Sequence, residues 1–329
     1  MRSYRGMSPL VTLLALAQDL RDRPVEELDA DGIQEARAAQ PTTTRVGGLL
    51  AGGVDRAVGI TYGTAPARDD HEIPLRIYRP RALRDSRTDV PVVMWFHGGG
   101  WVLGGVLGHD PICTHLAARV GCLVVSVDYR LAPEHRAPTA ALDCVDATTW
   151  VRASGEVLRA DTSRMAVAGD SAGGNLAAVV AQVLRDHGIR LSLQALVYPV
   201  TDLTLSSPSV TEHATAPRLT SRSMEAFRDH YAGPVGDLRD PLLSPLHGHL
   251  EGLPAALVQT ADLDPLRDDG IRYAAALRDA GVRVRLTNYL GVPHGFLDLV
   301  RVSPAARQQR WELVAELASA LGTSGRRLG

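Results

Sequence analysis

The spacing of apolar residues changes period several times along the chain, and each change marks an element. Near the start, Leu10, Leu13, Leu14, Ala17 and Leu20 recur at helical spacing, which predicts an amphipathic helix with those residues on its apolar face. Residues 28–39 read as a second short helix, with Asp29 or Asp31 as its N-cap. The glycine-rich residues 47–53 separate it from two segments, 54–62 and 72–79, rich in β-branched or aromatic residues. In the second, Ile73, Leu75 and Ile77 alternate with other side chains, so both read as strands near a sheet edge. The charged residues 81–89 read as a surface turn.

From residue 90 the rhythm is different. Residues 90–96 are continuously apolar, as expected for a strand covered on both faces. A helix is expected over 109–120, a buried strand over 123–127, a helix over 140–152 and a strand over 165–168. A helix over 176–185 and a strand over 193–198 follow. Strand alternating with helix predicts an α/β fold, with a mostly parallel central sheet and helices on both faces. The alternation breaks at residues 199–245, where Pro, Ser, Thr and His are frequent and one helix is expected over 221–231. So long a connection in a compact α/β unit reads as a functional insertion. Strand and helix resume over 255–260, 266–280, 282–289 and 305–321.

Composition narrows the classes. The 329 residues are 45% hydrophobic and 22% charged, as expected of a soluble globular chain. A net charge of −2 gives no reason to expect nucleic acid or an anionic membrane as partner. All 35 basic residues are arginine, which excludes a lysine nucleophile, a Schiff base and a P-loop lysine. Cys113, Cys122 and Cys144 are too few and too scattered for a disulfide scaffold or a zinc site, and read as free thiols in a reducing, cytoplasmic setting. No apolar run approaches the roughly 20 residues of a membrane span. Arg2 and Arg5 ahead of Ala15-Leu16-Ala17 fit a short signal peptide. The polar Gln18, Asp19 and Arg21 interrupt that run and favour an uncleaved helix instead.

Four short stretches carry chemistry. Gly169-Asp170-Ser171-Ala172-Gly173 fits G-x-S-x-G, the strand-to-helix turn that lifts a serine hydroxyl clear of a sheet. His97-Gly98-Gly99-Gly100-Trp101 ends the run 90–96, and its glycines let backbone N–H groups turn towards a ligand. Asp264 follows the strand 255–260 and precedes Pro265. His294 lies after the strand 282–289, between Pro293 and Gly295. Taken singly, each has a bland reading: a small residue in a tight turn, a phosphate-binding loop, a helix N-cap, a surface histidine. The glycine loop, however, lacks both G-x-G-x-x-G and a P-loop lysine. Taken together, Ser171, Asp264 and His294 occur in the Ser…Asp…His order of α/β-hydrolases, each behind its own strand.

With these motifs, and with Asp128-Tyr129-Arg130-Leu131-Ala132-Pro133-Glu134-His135 and Asp264-Pro265-Leu266-Arg267-Asp268, the chain resembles the hormone-sensitive-lipase-like (bacterial family IV) esterases of the α/β-hydrolase superfamily. The resemblance covers residues 90–296. It implies a single α/β-hydrolase domain over 1–329, with a helical cap built from segments of approximately 1–45 and 199–245. It makes Ser171 the nucleophile, His294 the general base and Asp264 its orienting acid, with Asp262 the nearest rival. The amides of Gly98, Gly99 and Ala172 would form the oxyanion hole. His97 would anchor the glycine loop, Arg130 and Glu134 would brace the loop after residues 123–127, and Asp170 would be a turn residue.

The implied reaction is hydrolysis of short- to medium-chain acyl esters through an acyl-enzyme, with no metal or organic cofactor. The alternatives are an amidase or deacetylase on the same three residues, or a ligand-binding member of the fold that needs no histidine. Trp101, Leu203, Leu205, Met224 and Phe227 are the candidates for the substrate pocket, although the insertion's own small core would use the same residues. The strand 282–289 is the candidate edge for a homodimer.

Overall fold

The computed structural model describes residues 6–323 apart from 22, 40, 85–89 and 235. Arg2, Arg5 and residues 85–89 of the expected turn 81–89 therefore lie outside the described residues. Eight strands form one sheet: β1 (Val58–Pro66), β2 (Glu72–Pro80), β3 (Pro91–Phe96), β4 (Leu123–Val127), β5 (Asp161–Asp170), β6 (Leu193–Val197), β7 (Ala256–Leu263) and β8 (Val284–Pro293). Their order across the sheet is β1-β2-β4-β3-β5-β6-β7-β8. β1 and β2 form an antiparallel hairpin, β2 is antiparallel to β4, and all remaining pairs are parallel.

The helices are α1 (Pro9–Arg21), α2 (Ala30–Ala38), α3 (Arg45–Leu50), α4 (Asp110–Leu116), α5 (Thr139–Ala153), α6 (Gly155–Leu158), α7 (Ala172–Asp186), α8 (Pro208–Glu212), α9 (Ser221–Ala232), α10 (Arg267–Asp279) and α11 (Pro304–Ala320). The sheet divides two apolar cores, and the period of two along its strands feeds both. On β3, Val92, Met94 and Phe96 join the core that also holds Leu176 and Val180 of α7 and Tyr273 of α10. Val93 and Trp95 join the other, with Leu116 of α4 and Leu313 and Leu317 of α11. That double burial is why 90–96 reads as an unbroken apolar run.

Several elements depart from their predicted form. β5, β7 and β8 run on past their apolar stretches to Asp170, Leu263 and Pro293. Backbone pairing continues there (Asp170 with Val197, Leu263 with Pro293) although Gly169, Asp170, Asp262, Gly291 and Pro293 interrupt the strand-like side-chain pattern. α3 starts at Arg45 and runs into the glycine-rich 47–53, because the Thr44 side chain caps it by accepting from the Gly47 amide at 3.1 Å. The helix expected over 109–120 is α-helical to Leu116 and then widens into a π-turn that ends at Gly121. In α1 the buried residues are Val11 and Ala15, whereas Leu10, Leu13, Leu16 and Leu20 are exposed. This helix is apolar almost all round, so periodicity did not determine which stripe faces the body.

The N-terminal helices and the 199–245 insertion touch each other and the sheet's carboxyl edge. Glu26 accepts from the Ser223 hydroxyl of α9 at 3.0 Å. Asp19 of α1 accepts from the Arg218 amide. Arg37 of α2 donates to the carbonyls of Val102 and Ala132 and pairs with Glu134 at 2.8 Å.

Candidate active site

Strand order reverses between β3 and β5: the chain leaves β3 for β4 on one side and continues from β5 to β6 on the other. Open α/β sheets place their ligands outside the carboxyl ends of the strands at such a point. Here those ends carry His97-Gly98-Gly99-Gly100 and Ser171.

Ser171 has φ 56° and ψ −120°, a conformation that non-glycine residues rarely hold. It sits between the last residue of β5 and the first of α7, with its amide bonded to the Val197 carbonyl at 2.8 Å. The turn closes because Gly169 and Gly173 have no Cβ. One added at Gly173 would run into the Phe96 carbonyl, and one at Gly169 into the Gly173 carbonyl.

His294 reaches the same point from the end of β8. Its Nε2 lies 2.9 Å from Ser171 Oγ and its Nδ1 lies 2.7 Å from Asp264 Oδ2. Asp264 is fully buried. Its other oxygen accepts from the Leu266 amide at 2.9 Å, so one carboxylate serves both the turn into α10 and the imidazole. The ring of Tyr198 meets His294 edge-on at 4.7 Å. Arg218 in the insertion donates to the Gly295 carbonyl at 2.7 Å. Asp262 does not reach the histidine; its oxygens face Gly291 N and Asn288 Nδ2.

The glycine loop corrects one expectation. The Gly98 amide donates to Asp170 Oδ1 at 3.0 Å and is therefore not free to meet a substrate. Among the described residues, the amides of Gly99, Gly100 and Ala172 have no partner within the chain. Asp170 is correspondingly more than a turn residue. Its carboxylate binds both Gly98 and, at 3.0 Å, His109 Nε2. His97 is fully buried, stacked on Tyr129 at 4.2 Å, with the Tyr129 hydroxyl donating to its carbonyl at 2.7 Å. Burial and the neighbouring His109 push its pKa down to about 3, so its ring is neutral. Arg130 pairs with Asp143 and Asp69, each at 2.7 Å.

The pocket candidates separate. The Trp101 ring is buried and stacked on Tyr231 at 4.4 Å. Phe227, one turn before Tyr231 on α9, lies against Gly100. The two α9 aromatics thus cover consecutive residues of the glycine loop. Leu203 and Met224 are buried in the core that also contains Trp101 and Tyr231, and half-buried Leu205 packs at its margin. The contacts that bring Gly100, Asp170, His109, Tyr198 and Arg218 to this point had no signal in the sequence, because each joins distant segments. Among the described residues, no group of three or more His, Cys, Asp or Glu side chains is placed to hold a metal ion.

Residues 93–298 match the family model described as the α/β hydrolase fold. This chain belongs to the α/β-hydrolase family. It is 43% identical to carboxylesterase NlhH of Mycobacterium tuberculosis over 304 residues, covering 91% of this chain and 92% of that protein. It is 38% identical to ethyl acetate hydrolase of Pseudomonas putida, over 83% and 85% of the two chains. Its structure is similar to that of a hyperthermophilic esterase from Pyrobaculum calidifontis, with a TM-score of 0.86, 38% identity, and coverage of 95% and 98%. The resemblance to the hormone-sensitive-lipase-like branch is borne out, as is the mostly parallel sheet with helices on both faces.

Proposed function

We propose that this chain is a serine carboxylesterase hydrolysing short- to medium-chain acyl esters. The observation that carries this reading is the unbroken chain of hydrogen bonds from Asp264 through His294 to Ser171, at 2.7 and 2.9 Å. The esterase relatives support the same reaction class.

A serine hydroxyl is a weak nucleophile at neutral pH and needs a base within hydrogen-bond reach. His294 Nε2 takes the Ser171 proton as Oγ attacks the ester carbonyl, while Asp264 fixes the tautomer with the proton on Nδ1. The tetrahedral oxyanion is met by the amides of Gly99, Gly100 and Ala172, the last at the positive end of the 15-residue α7. The intermediate collapses, His294 protonates the departing alcohol, and water releases the acid from the acyl-enzyme by the same route.

The two cap segments, approximately 1–45 and 199–245, shape the entrance, with Phe227 over Gly100 and Tyr231 over Trp101 of the glycine loop. That cover supports small acyl groups. Leu203, Leu205 and Met224 would back these aromatic residues rather than line an open groove. Three buried, unpaired cysteines suit a cytoplasmic setting, and among the described residues no helix is long and apolar enough to cross a membrane. We also propose that copies pair through the edge strand β8.

The test is hydrolysis of p-nitrophenyl esters from acetate to palmitate by the parent and Ser171→Ala. The parent is expected to prefer short to medium chains, and the variant to lose about 10⁴-fold or more in kcat. A variant as fast as the parent would refute the reaction, and a preference for palmitate would refute the substrate class.

A further inference from the structure

Behind the serine, three segments far apart in sequence meet on one carboxylate. Asp170 Oδ1 accepts from the Gly98 amide and lies 3.0 Å from His109 Nε2. The other ring nitrogen of His109, Nδ1, lies 3.1 Å from the Gly105 carbonyl. A carbonyl and a carboxylate can only accept, so both ring nitrogens carry protons and the ring is an imidazolium. The two side chains are only 16% and 12% exposed. A buried ion pair is a weak source of stability compared with apolar packing, so its position calls for another explanation. Asp170 immediately precedes Ser171 and Ala172, and Gly98 immediately precedes Gly99 and Gly100. The Asp170–Gly98 bond therefore spans the two halves of the oxyanion hole.

We propose that His109 is a positioning residue for ester hydrolysis: as a cation it holds the Asp170 carboxylate, which by the Gly98 amide keeps the glycine loop in register with the serine turn. This rests on the acyl-transfer reading above.

The surroundings agree. Burial opposes a charge on His109, but the Asp170 carboxylate outweighs it and lifts the pKa to about 9. Burial likewise would raise the Asp170 carboxyl, and His109 instead holds it below its usual range. The other groups facing the pair are His97 at the end of β3, with ring centroids 5.7 Å apart, and Asp298 after His294, which also attracts the cation. Asp298 faces Arg218 at 3.9 Å and the cation of Arg310. Asp110, next to His109, is paired with Arg76 at 2.7 Å. Tyr198, Tyr129 and Cys113, also near Asp170, are kept un-ionised by burial. As pH rises through about 9, His109 loses its charge and the link weakens.

Kinetics of p-nitrophenyl butyrate hydrolysis by the parent and His109→Gln test this, since glutamine keeps a donor towards Asp170 and removes the charge. We expect kcat and kcat/KM to fall together by about tenfold or more, somewhat less than the 10²–10³ lost with a whole oxyanion donor. Affinity for a trifluoromethyl ketone, which forms an oxyanion on Ser171, should fall by the same factor. The parent's kcat should decline above about pH 9, with that limb absent in the variant. Parent-like kcat and pH profile overturn the proposal, as does a loss confined to KM or to thermal stability. If His109→Gln does not fold, Asp170→Asn replaces it: the same losses support the proposal, and parent-like rates overturn it. Labelling of the parent at Ser171 by an organophosphonate keeps the two readings apart. Without labelling the acyl-transfer reading fails, whereas labelling with unchanged variant kinetics sinks only the role of His109.

Discussion

Two aspartates two residues apart, Asp262 and Asp264, differ in what they touch, and that difference fixes a prediction. Asp264 Oδ2 is 2.7 Å from His294 Nδ1, whereas Asp262 Oδ2 faces the Gly291 amide at 3.4 Å. Asp264→Asn keeps the shape but offers His294 the wrong hydrogen-bonding partner, so kcat should fall by about 10³–10⁴-fold. Asp262→Asn should cost less than about tenfold. Steady-state kinetics of the two variants on one ester check this, and equal losses would contradict it. Ser171, Asp264 and His294 were legible in the sequence because each stands directly after a strand, in a recognisable order. Of the free amides, Gly99 and Ala172 were legible too, but Gly98 was expected where Gly100 is free. Gly98, Gly99 and Gly100 are identical as letters, and only a bond from Gly98 to Asp170, 72 positions away, separates them.

At the scale of elements, the serine turn depends on how closely β3, β5 and α7 approach. Gly173 sits at the N-terminus of α7 against the Phe96 carbonyl at the end of β3, and no movable side chain stands between them. Gly173→Ala forces two backbones apart, so a loss of about 1–3 kcal/mol is expected, read as a lower midpoint in urea, together with reduced kcat. A parent-like midpoint and rate would show that the turn has room. Strand positions were legible from apolar runs, but strand ends were not. β5, β7 and β8 continue as backbone ladders where glycine, aspartate and proline interrupt the side-chain pattern, and those extra residues lead into Ser171, Asp264 and His294. α3 was missed for a related reason: its helix rests on a Thr44 cap rather than on an apolar stripe.

For the whole molecule, the alternation of strand and helix already implied a mostly parallel sheet between two helical layers. Strand order did not follow from it, nor did the packing of the N-terminal helices on the insertion through Glu26–Ser223 and Asp19–Arg218. Both depend on which surfaces meet, and local periodicity carries no such information. The exposed face of α1 illustrates this, with Leu13 60% and Leu20 79% exposed where burial was expected. The sheet ends at β8, whose outer edge is unpaired among the described residues and carries Leu290, 74% exposed. Such an edge is a template for pairing with a second chain. Light scattering is expected to give the mass of a dimer, and Leu290→Arg to shift it towards monomer. A parent that is monomeric at high concentration would contradict pairing through β8.

The central claim, that Ser171 is a nucleophile activated by His294, is most directly tested by intact-protein mass spectrometry after treatment with a p-nitrophenyl phosphonate. The account predicts one adduct per chain, located on Ser171, formed in proportion to lost esterase activity and absent from Ser171→Ala. An unlabelled parent, or an adduct on another residue with activity intact, would contradict it.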